Sequence, residues 1–452
     1  MTTSLWFESA LLPAGWAERV RVSVDADGLI SAVQTGVEPG PGDARYACAV
    51  PGLANLHSHA FQRAMAGLTE TRGPAADNFW TWREWMYRFL DRLTPDDVRI
   101  IAAQAYAEML ESGFTRVGEF HYLHHGPDGA AYDAPAEMAE AIAAAADEAG
   151  LGLTLLPVFY AHSTFGGAPP LPGQRRFICD LDAFARLVDA STAISGGLPD
   201  GRIGVAPHSL RAVTPQELDA VSALTPGPIH IHAAEQVKEV EDCVAWSGRR
   251  PVEWLLERGI DARWCLIHAT HLTPDETTGL ARSGAVAGLC PITEANLGDG
   301  VFPAADYLAA GGAFGVGTDS NVVVDAAEEL RALEYAQRLT RRARNVLADR
   351  EGASTGGVLF RRALAGGAQA LADPAAAIAP GHPADLVALD TGHPSLVGRD
   401  GDALLDAWIF GAAARAAHAV WRRGRQVVRD GRHIRSAEIA AAYRVVLKRL
   451  LA

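Results

Sequence analysis

The feature that most constrains this chain is a repeated alternation of short β-type runs and longer helical patterns between residues 49 and 350. Strand-like runs fall at 49–56, 115–120, 153–160, 203–207, 228–232, 264–268, 285–289 and 313–317. Helical patterns lie between them at 94–112, 134–149, 181–190, 214–224, 237–258, 274–282 and 325–347. Thr94-Pro95-Asp96-Asp97 and Thr214-Pro215-Gln216-Glu217 each offer a hydroxyl cap, a proline at the first helical position and an acid at the third. Gly113, Gly150, Gly259 and Gly284 each follow a helical run, where a left-handed residue closes the last turn. Eight strands alternating with helices predict an α/β fold, a closed parallel (β/α)8 barrel over 49–379, rather than an open sheet.

The two ends read differently. Segments 19–24 and 29–33, and at the other end 384–389, 419–421 and 426–428 around Arg423-Gly424, have the pattern of β-hairpins. Residues 1–48 and 380–452 are therefore expected to pair into one small β-sandwich domain, and 350–372 reads as helix.

At 452 residues the chain is long enough for such a barrel with an accessory domain. No apolar run approaches the roughly 20 residues of a membrane span. The start, Met-Thr-Thr-Ser-Leu-Trp-Phe-Glu-Ser, has neither a basic region nor an apolar core of a leader, so a cytoplasmic address is expected. The five cysteines are scattered with no C-x-x-C pair, which argues against a disulfide framework and a thiolate metal site. A net charge of −14 disfavours a nucleic-acid partner and points to small-molecule chemistry.

In a barrel, chemistry gathers at the C-terminal ends of the strands. His57 and His59 end the first strand, where alternate residues share a face and both imidazoles can reach one ion. Alone, such a pair is more often two structural histidines than a metal site. His232 ends the fifth strand, His268 the sixth, and Asp319 follows the eighth. A catalytic zinc takes three or four N and O ligands, keeps one position for water and lowers that water's pKa towards about 7. His57, His59, His232 and Asp319 would supply such a set. Glu235, just past His232, is placed to move a proton, its alternative being a cap on the following helix. His268 would polarise the substrate or share the water. The alternative for Asp319 is a turn residue in Thr318-Asp319-Ser320-Asn321. His230 is expected to face away from His232 and to be structural, and His271 to be a supporting or loop residue. The glycines of 311–317 lack a phosphate-loop spacing.

His57-Ser58-His59, His232 with Glu235, His268 and Gly317-Thr318-Asp319-Ser320, in this order, resemble the amidohydrolase superfamily, in its ammonia-releasing aminohydrolase branch. Two-metal members use a carboxylated lysine from a mid-barrel strand. The only lysines here, Lys238 and Lys448, lie at no such place, so the resemblance implies one metal. Residues 51–64, around Leu56-His57-Ser58-His59-Ala60-Phe61-Gln62-Arg63, and Glu119-Phe120-His121-Tyr122-Leu123-His124-His125 resemble the formimidoylglutamate deiminase family. That family hydrolyses N-formimino-L-glutamate to N-formyl-L-glutamate and ammonia in histidine degradation. The resemblance implies zinc, a homodimer, catalytic Glu235, His268 and Asp319, and substrate contacts at Gln62, Arg83, Tyr122, His208 and Arg211. A dicarboxylate substrate suits arginines, which grip carboxylates bidentately. Arg211 follows the fourth strand at the active rim. Arg83 sits in the long aromatic loop after the first strand, suited to a lid, where the alternative is an amphipathic helix with a solvated arginine and where Arg72 and Arg88 are rival candidates. Three other readings stay open: an aminohydrolase of a nucleobase or nucleoside, an imidazolonepropionase-like ring opener, and a non-catalytic metal-binding protein.

Overall fold

A computed structural model describes residues 3–73, 77–373 and 377–452; residues 1–2 of the expected small domain and 74–76 and 374–376 of the expected barrel lie outside the described residues. The barrel strands are Leu53–Ser58, Phe114–His121, Gly152–Phe159, the paired short strands Arg202–Ile203 and Ala206–Pro207, Ile229–Ala233, Trp264–His268, Val286–Leu289 and Ala313–Val316. Neighbours pair in parallel, and bridges Val205↔Ile229 and Ser58↔Asp319 close the ring. Leu53–Ser58, Phe114–His121 and Gly152–Phe159 are buried at every position, because side chains meet the barrel interior on one face and the outer helices on the other. Thr94, Thr214 and Thr273 each cap a helix reciprocally with an acid three residues on, and Gly113, Gly150 and Gly284 close helices with positive φ.

Three expected boundaries move. The run 49–56 contains two strands: Ala44–Pro51 belongs to the small sheet, and the barrel begins at Leu53. A continuous apolar run carries no period with which to divide it, and the break is made at Gly52, whose amide donates to Asp385 O. The helix expected over 237–258 is two helices, Val237–Ser247 and Pro251–Glu257, parted by Gly248 at φ +72 and by the proline. The last barrel helix ends at Arg341, with Arg342 left-handed.

The ends of the chain form one eight-stranded sheet. Thr3–Leu12 lies between Gly15–Val24 and Ala44–Pro51; Leu386–Leu389 pairs with Ala44–Pro51 and continues through Ala417–Arg422, Arg425–Arg429 and Arg432–His433. The sheet has its own core of Leu5, Phe7, Val22, Leu386 and Trp421. Buried Arg422 ties it to the barrel by pairing with both Asp385 and Asp200, and Asp200 also holds Arg116. No helix among the described residues is long and apolar enough to cross a membrane.

Helix Thr355–Ala370 stops the lower end of the barrel. Ala370 O and Leu371 O accept from the His230 ring and Thr154 Oγ1, and Leu371 packs with Leu56 and Ile267. Gly366 makes this approach possible: a Cβ there would lie 1.9 Å from Phe314 O, a backbone atom that cannot swing aside. Gly366→Ala is expected to lower stability by about 1–3 kcal/mol, the range for forced overpacking. An unchanged urea midpoint would contradict this contact.

Candidate active site

At the upper rim, His57, His59, His232 and Asp319 bring one ligand atom each to within 4.8 Å of one another, and all four are buried. His57 Nε2 and His59 Nε2 lie 3.3 and 3.2 Å from Asp319 Oδ1, and His232 Nε2 is 3.2 Å from His57 Nε2. The opposite ring nitrogens are tied back: His59 Nδ1 is 2.9 Å from Phe120 O, and His232 Nδ1 is 3.0 Å from His208 O. A carbonyl accepts a proton from Nδ1, so Nε2 keeps its lone pair and points inward. Burial holds His57 at a pKa of about 3 and His232 well below the usual histidine range, so both rings are neutral and fit to ligate. Burial disfavours the Asp319 carboxylate, but the imidazoles of His57 and His59 beside it outweigh this and hold its pKa well below the usual range. His57 Nδ1 has no partner among the described residues, and the close approach of His57 Nε2, His232 Nε2 and an ionised carboxylate suits a cation between them. The all-N/O set fits one divalent metal.

The backbone that delivers Asp319 is strained: φ is +42° at Asp319 and +54° at Asn321. It is fastened to the first strand. Thr318 and Asp319 amides donate to His57 O, His59 N donates to Asp319 O, and Asn321 Nδ2 donates to Ser58 Oγ and His59 O. Gly317 permits the approach, since a Cβ there would lie 2.7 Å from His57 O. Asp319 is thus a ligand-type residue in a turn, and the two sequence readings were not exclusive.

Glu235 and His268 face the cradle as a pair, Oε1 to Nε2 3.8 Å apart and both buried. Burial raises the Glu235 carboxyl above its ordinary range; burial lowers His268, but Glu235, Glu294 and Asp319 more than reverse this and raise it. Glu294 Oε1 lies 3.3 Å from His268 Nδ1 and accepts from the Cys290 amide. Glu239 accepts from the amides of Ala234 and Glu235 and so fixes the main chain that carries Glu235, while helix Val237–Ser247 has no side-chain cap at its start, so Glu235 does not serve as one. His230 shares the strand face of His232, as residues two apart must, and sits one layer deeper on Ala370 O; the expectation that it faces away is corrected, and its structural role stands.

The cavity beside the cradle collects the remaining expected residues: Gln62, Arg83, Tyr122, His208 and Arg211 line it with His59, His232, Glu235, His268 and Asp319. Gln62 Nε2 donates to Tyr122 Oη at 2.9 Å. Helix Phe79–Leu90 covers it, with Phe79, Trp82, Arg83, Met86 and Tyr87 on the cavity side. That spacing is the stripe of an amphipathic helix, so the helical alternative is correct while Arg83 faces the cavity rather than solvent. Arg72 and Arg88 do not line it. Among the described residues neither the Arg83 nor the Arg211 guanidinium has a hydrogen-bond or ion-pair partner, and Arg211 is buried with an unsatisfied Nε. Tyr160, Phe177 and Leu297 also line the cavity without having been singled out in the sequence. Glu294 was missed as well, although it stands just past the seventh strand, where the rim rule points.

A closed barrel with H-x-H after its first strand, histidine after its fifth and aspartate after its eighth defines the class of metal-dependent barrel hydrolases. The amidohydrolase family profile matches residues 48–427, and that of the formimidoylglutamate deiminase HutF N-terminal domain matches residues 2–47. A formimidoylglutamate deiminase of Pseudomonas aeruginosa is 50% identical over 99% of this chain and 100% of its own. A crystal structure described as an amidohydrolase from Brucella melitensis superposes with a TM-score of 0.96 at 55% identity, covering 100% of both chains. An adenosine deaminase structure from Xanthomonas campestris with bound zinc shares the fold, with a TM-score of 0.82 at 23% identity over 99% of this chain and 98% of its own. The chain belongs to the amidohydrolase family, in its formimidoylglutamate deiminase branch.

Proposed function

We propose that this chain is a zinc-dependent formimidoylglutamate deiminase, which hydrolyses N-formimino-L-glutamate to N-formyl-L-glutamate and ammonia in histidine degradation. The observation that carries the reading is the pair of guanidinium groups, Arg83 and Arg211, lining one cavity with the metal cradle, neither in an ion pair among the described residues, Glu239 and Glu235 reaching Arg211 only through space. An unpaired cation in a buried site is costly, and a ligand with two carboxylates relieves both. The second reading, a nucleobase or nucleoside aminohydrolase, leaves both unpaired.

The division of labour follows the geometry. His57, His59, His232 and Asp319 would hold the ion, which supplies Lewis acidity that makes water nucleophilic near neutral pH. Arg83, Arg211, Gln62, Tyr122 and His208 orient the glutamate moiety so that the formimino carbon faces the attacking water. Asp319 accepts a proton from that water as its oxygen bonds to carbon and the C=N π pair moves onto nitrogen. Glu235 delivers a proton to this nitrogen, His268 polarising the centre beside it. The proton held by Asp319 then passes to the same nitrogen as the C–N bond breaks and ammonia leaves, and the hydroxyl proton returns to Glu235, so that the carbon keeps the oxygen as a formyl group and both carboxyl groups regain their starting states.

Zinc as the resident ion, one per chain, is part of this proposal and is supported by the N/O donor set. So are a cytoplasmic homodimer and a division into a catalytic barrel over 49–379 and a small domain from 1–48 and 380–452.

A coupled ammonia assay tests the reading: release is expected from N-formimino-L-glutamate and not from guanine or adenosine, and the reverse preference would contradict it. Arg211→Ala is expected to raise KM for N-formimino-L-glutamate about 10- to 100-fold, the equivalent of one charge-assisted hydrogen-bonded contact. An unchanged KM would remove Arg211 from the clamp.

A further inference from the structure

Arg83 and Arg211 come from unrelated parts of the chain, one on the covering helix and one past the fourth barrel strand, yet they meet over a single ring. The Arg83 guanidinium carbon lies 4.6 Å from the Trp80 ring centroid and that of Arg211 lies 5.7 Å from it. Trp80 does not itself line the cavity. On the helix it stands three residues before Arg83 and seven before Tyr87, so the three share one face, and Arg83 also lies 5.7 Å over Tyr87. The indole is fixed from its own side: the Trp80 amide donates to the capping Asn78 Oδ1 at 2.9 Å, and Phe79 meets the ring edge-on at 5.1 Å.

Two like charges in one cavity repel, and no carboxylate among the described residues pairs with either. The negative face of an indole attracts a guanidinium within about 6 Å, more strongly than the other aromatic rings do. Trp80 thus opposes the repulsion without consuming the hydrogen-bonding edges of either arginine, which stay free for a ligand. Guanidinium planes held in place before binding lose less freedom when they grip a carboxylate.

We propose that Trp80 is a positioning residue that sets the separation of the Arg83 and Arg211 guanidinium groups, and so selects ligands with two carboxylates over ligands with one. The inference deepens the proposed dicarboxylate reading and rests on it. A monocarboxylate uses one arginine and gains little from their spacing; a five-carbon dicarboxylate uses both.

The test is calorimetric titration of the full-length, metal-loaded protein with glutarate and with butyrate, alongside ammonia release from N-formimino-L-glutamate. Trp80→Leu is expected to weaken glutarate about tenfold and butyrate less than about threefold, and Trp80→Phe to give a smaller loss of the same kind. In turnover the loss falls on KM rather than on kcat. Equal weakening of the two acids, or glutarate binding unchanged in Trp80→Leu, overturns the proposal. Should Trp80→Leu fail to fold, Trp80→Phe carries the test alone, and a glutarate-to-butyrate preference equal to that of the unsubstituted protein overturns it. Absence of ammonia release from the unsubstituted protein removes the proposed substrate, whereas a Trp80-dependent glutarate preference still upholds the clamp.

Discussion

Glu235→Gln is expected to lower kcat for N-formimino-L-glutamate by about 10²- to 10⁴-fold, the usual contribution of a positioned proton carrier, while metal content stays that of the unsubstituted protein. The amide has the shape of the carboxyl group, so the pocket is preserved, but it neither gives nor takes a proton at neutral pH. Glu235 lies outside the four-atom cradle and its main chain is held by Glu239, so neither the ion nor the local backbone depends on its charge. Burial raises its carboxyl above the ordinary range, which suits a group that must hold a proton for part of the cycle. Metal analysis beside the rate measurement separates the two functions. Near-normal ammonia release by the variant would take Glu235 out of the mechanism, and loss of metal would make it a ligand.

Asp319→Ala has the opposite signature, in which metal and turnover are lost together. The Asp319 carboxylate is the one anionic donor in the cradle and faces both His57 and His59. Removing an outer partner of a ligand typically costs 10–100-fold in metal affinity, and removing the only charged ligand is expected to cost at least about 100-fold. Competition with a chelator reads this directly. Because the turn at 318–321 is fastened mainly by backbone and Asn321 contacts, the variant is expected to fold. Unchanged metal affinity with full activity would show that the four residues are not the cradle.

Much of this site is legible in the sequence because a barrel converts position along a strand into position in space. His57, His59, His232, His268 and Asp319 all end strands, and strand ends are recognisable without knowing how the strands pack. What escaped depends on contacts across the rim. Glu239 reads as one more acid on a helix until its carboxylate is seen to accept the amides of Ala234 and Glu235. Asn321 reads as a turn residue until it bridges back to the first strand. The division at Gly52 is invisible because the strands on both sides of it are apolar and buried, one in each domain. His230 shows that alternation must be counted strictly: two residues from His232 means the same face, and depth in the barrel, not direction, separates their roles. The covering segment is expected as a lid loop with a helix as the alternative; it is a helix over Phe79–Leu90, and that its stripe faces a cavity rather than solvent is decided by tertiary structure.

The proposed chemistry stands on three imidazoles and one carboxylate, distant in the chain, gripping a single ion at the rim of the barrel. X-ray absorption at the metal edge of the purified, loaded protein tests it most directly. The expected spectrum shows a shell of N and O only, with imidazole scattering from three histidines at about 2.0–2.1 Å. Sulfur in the shell, fewer than three imidazoles, or a second metal at about 3.5–4 Å would contradict it.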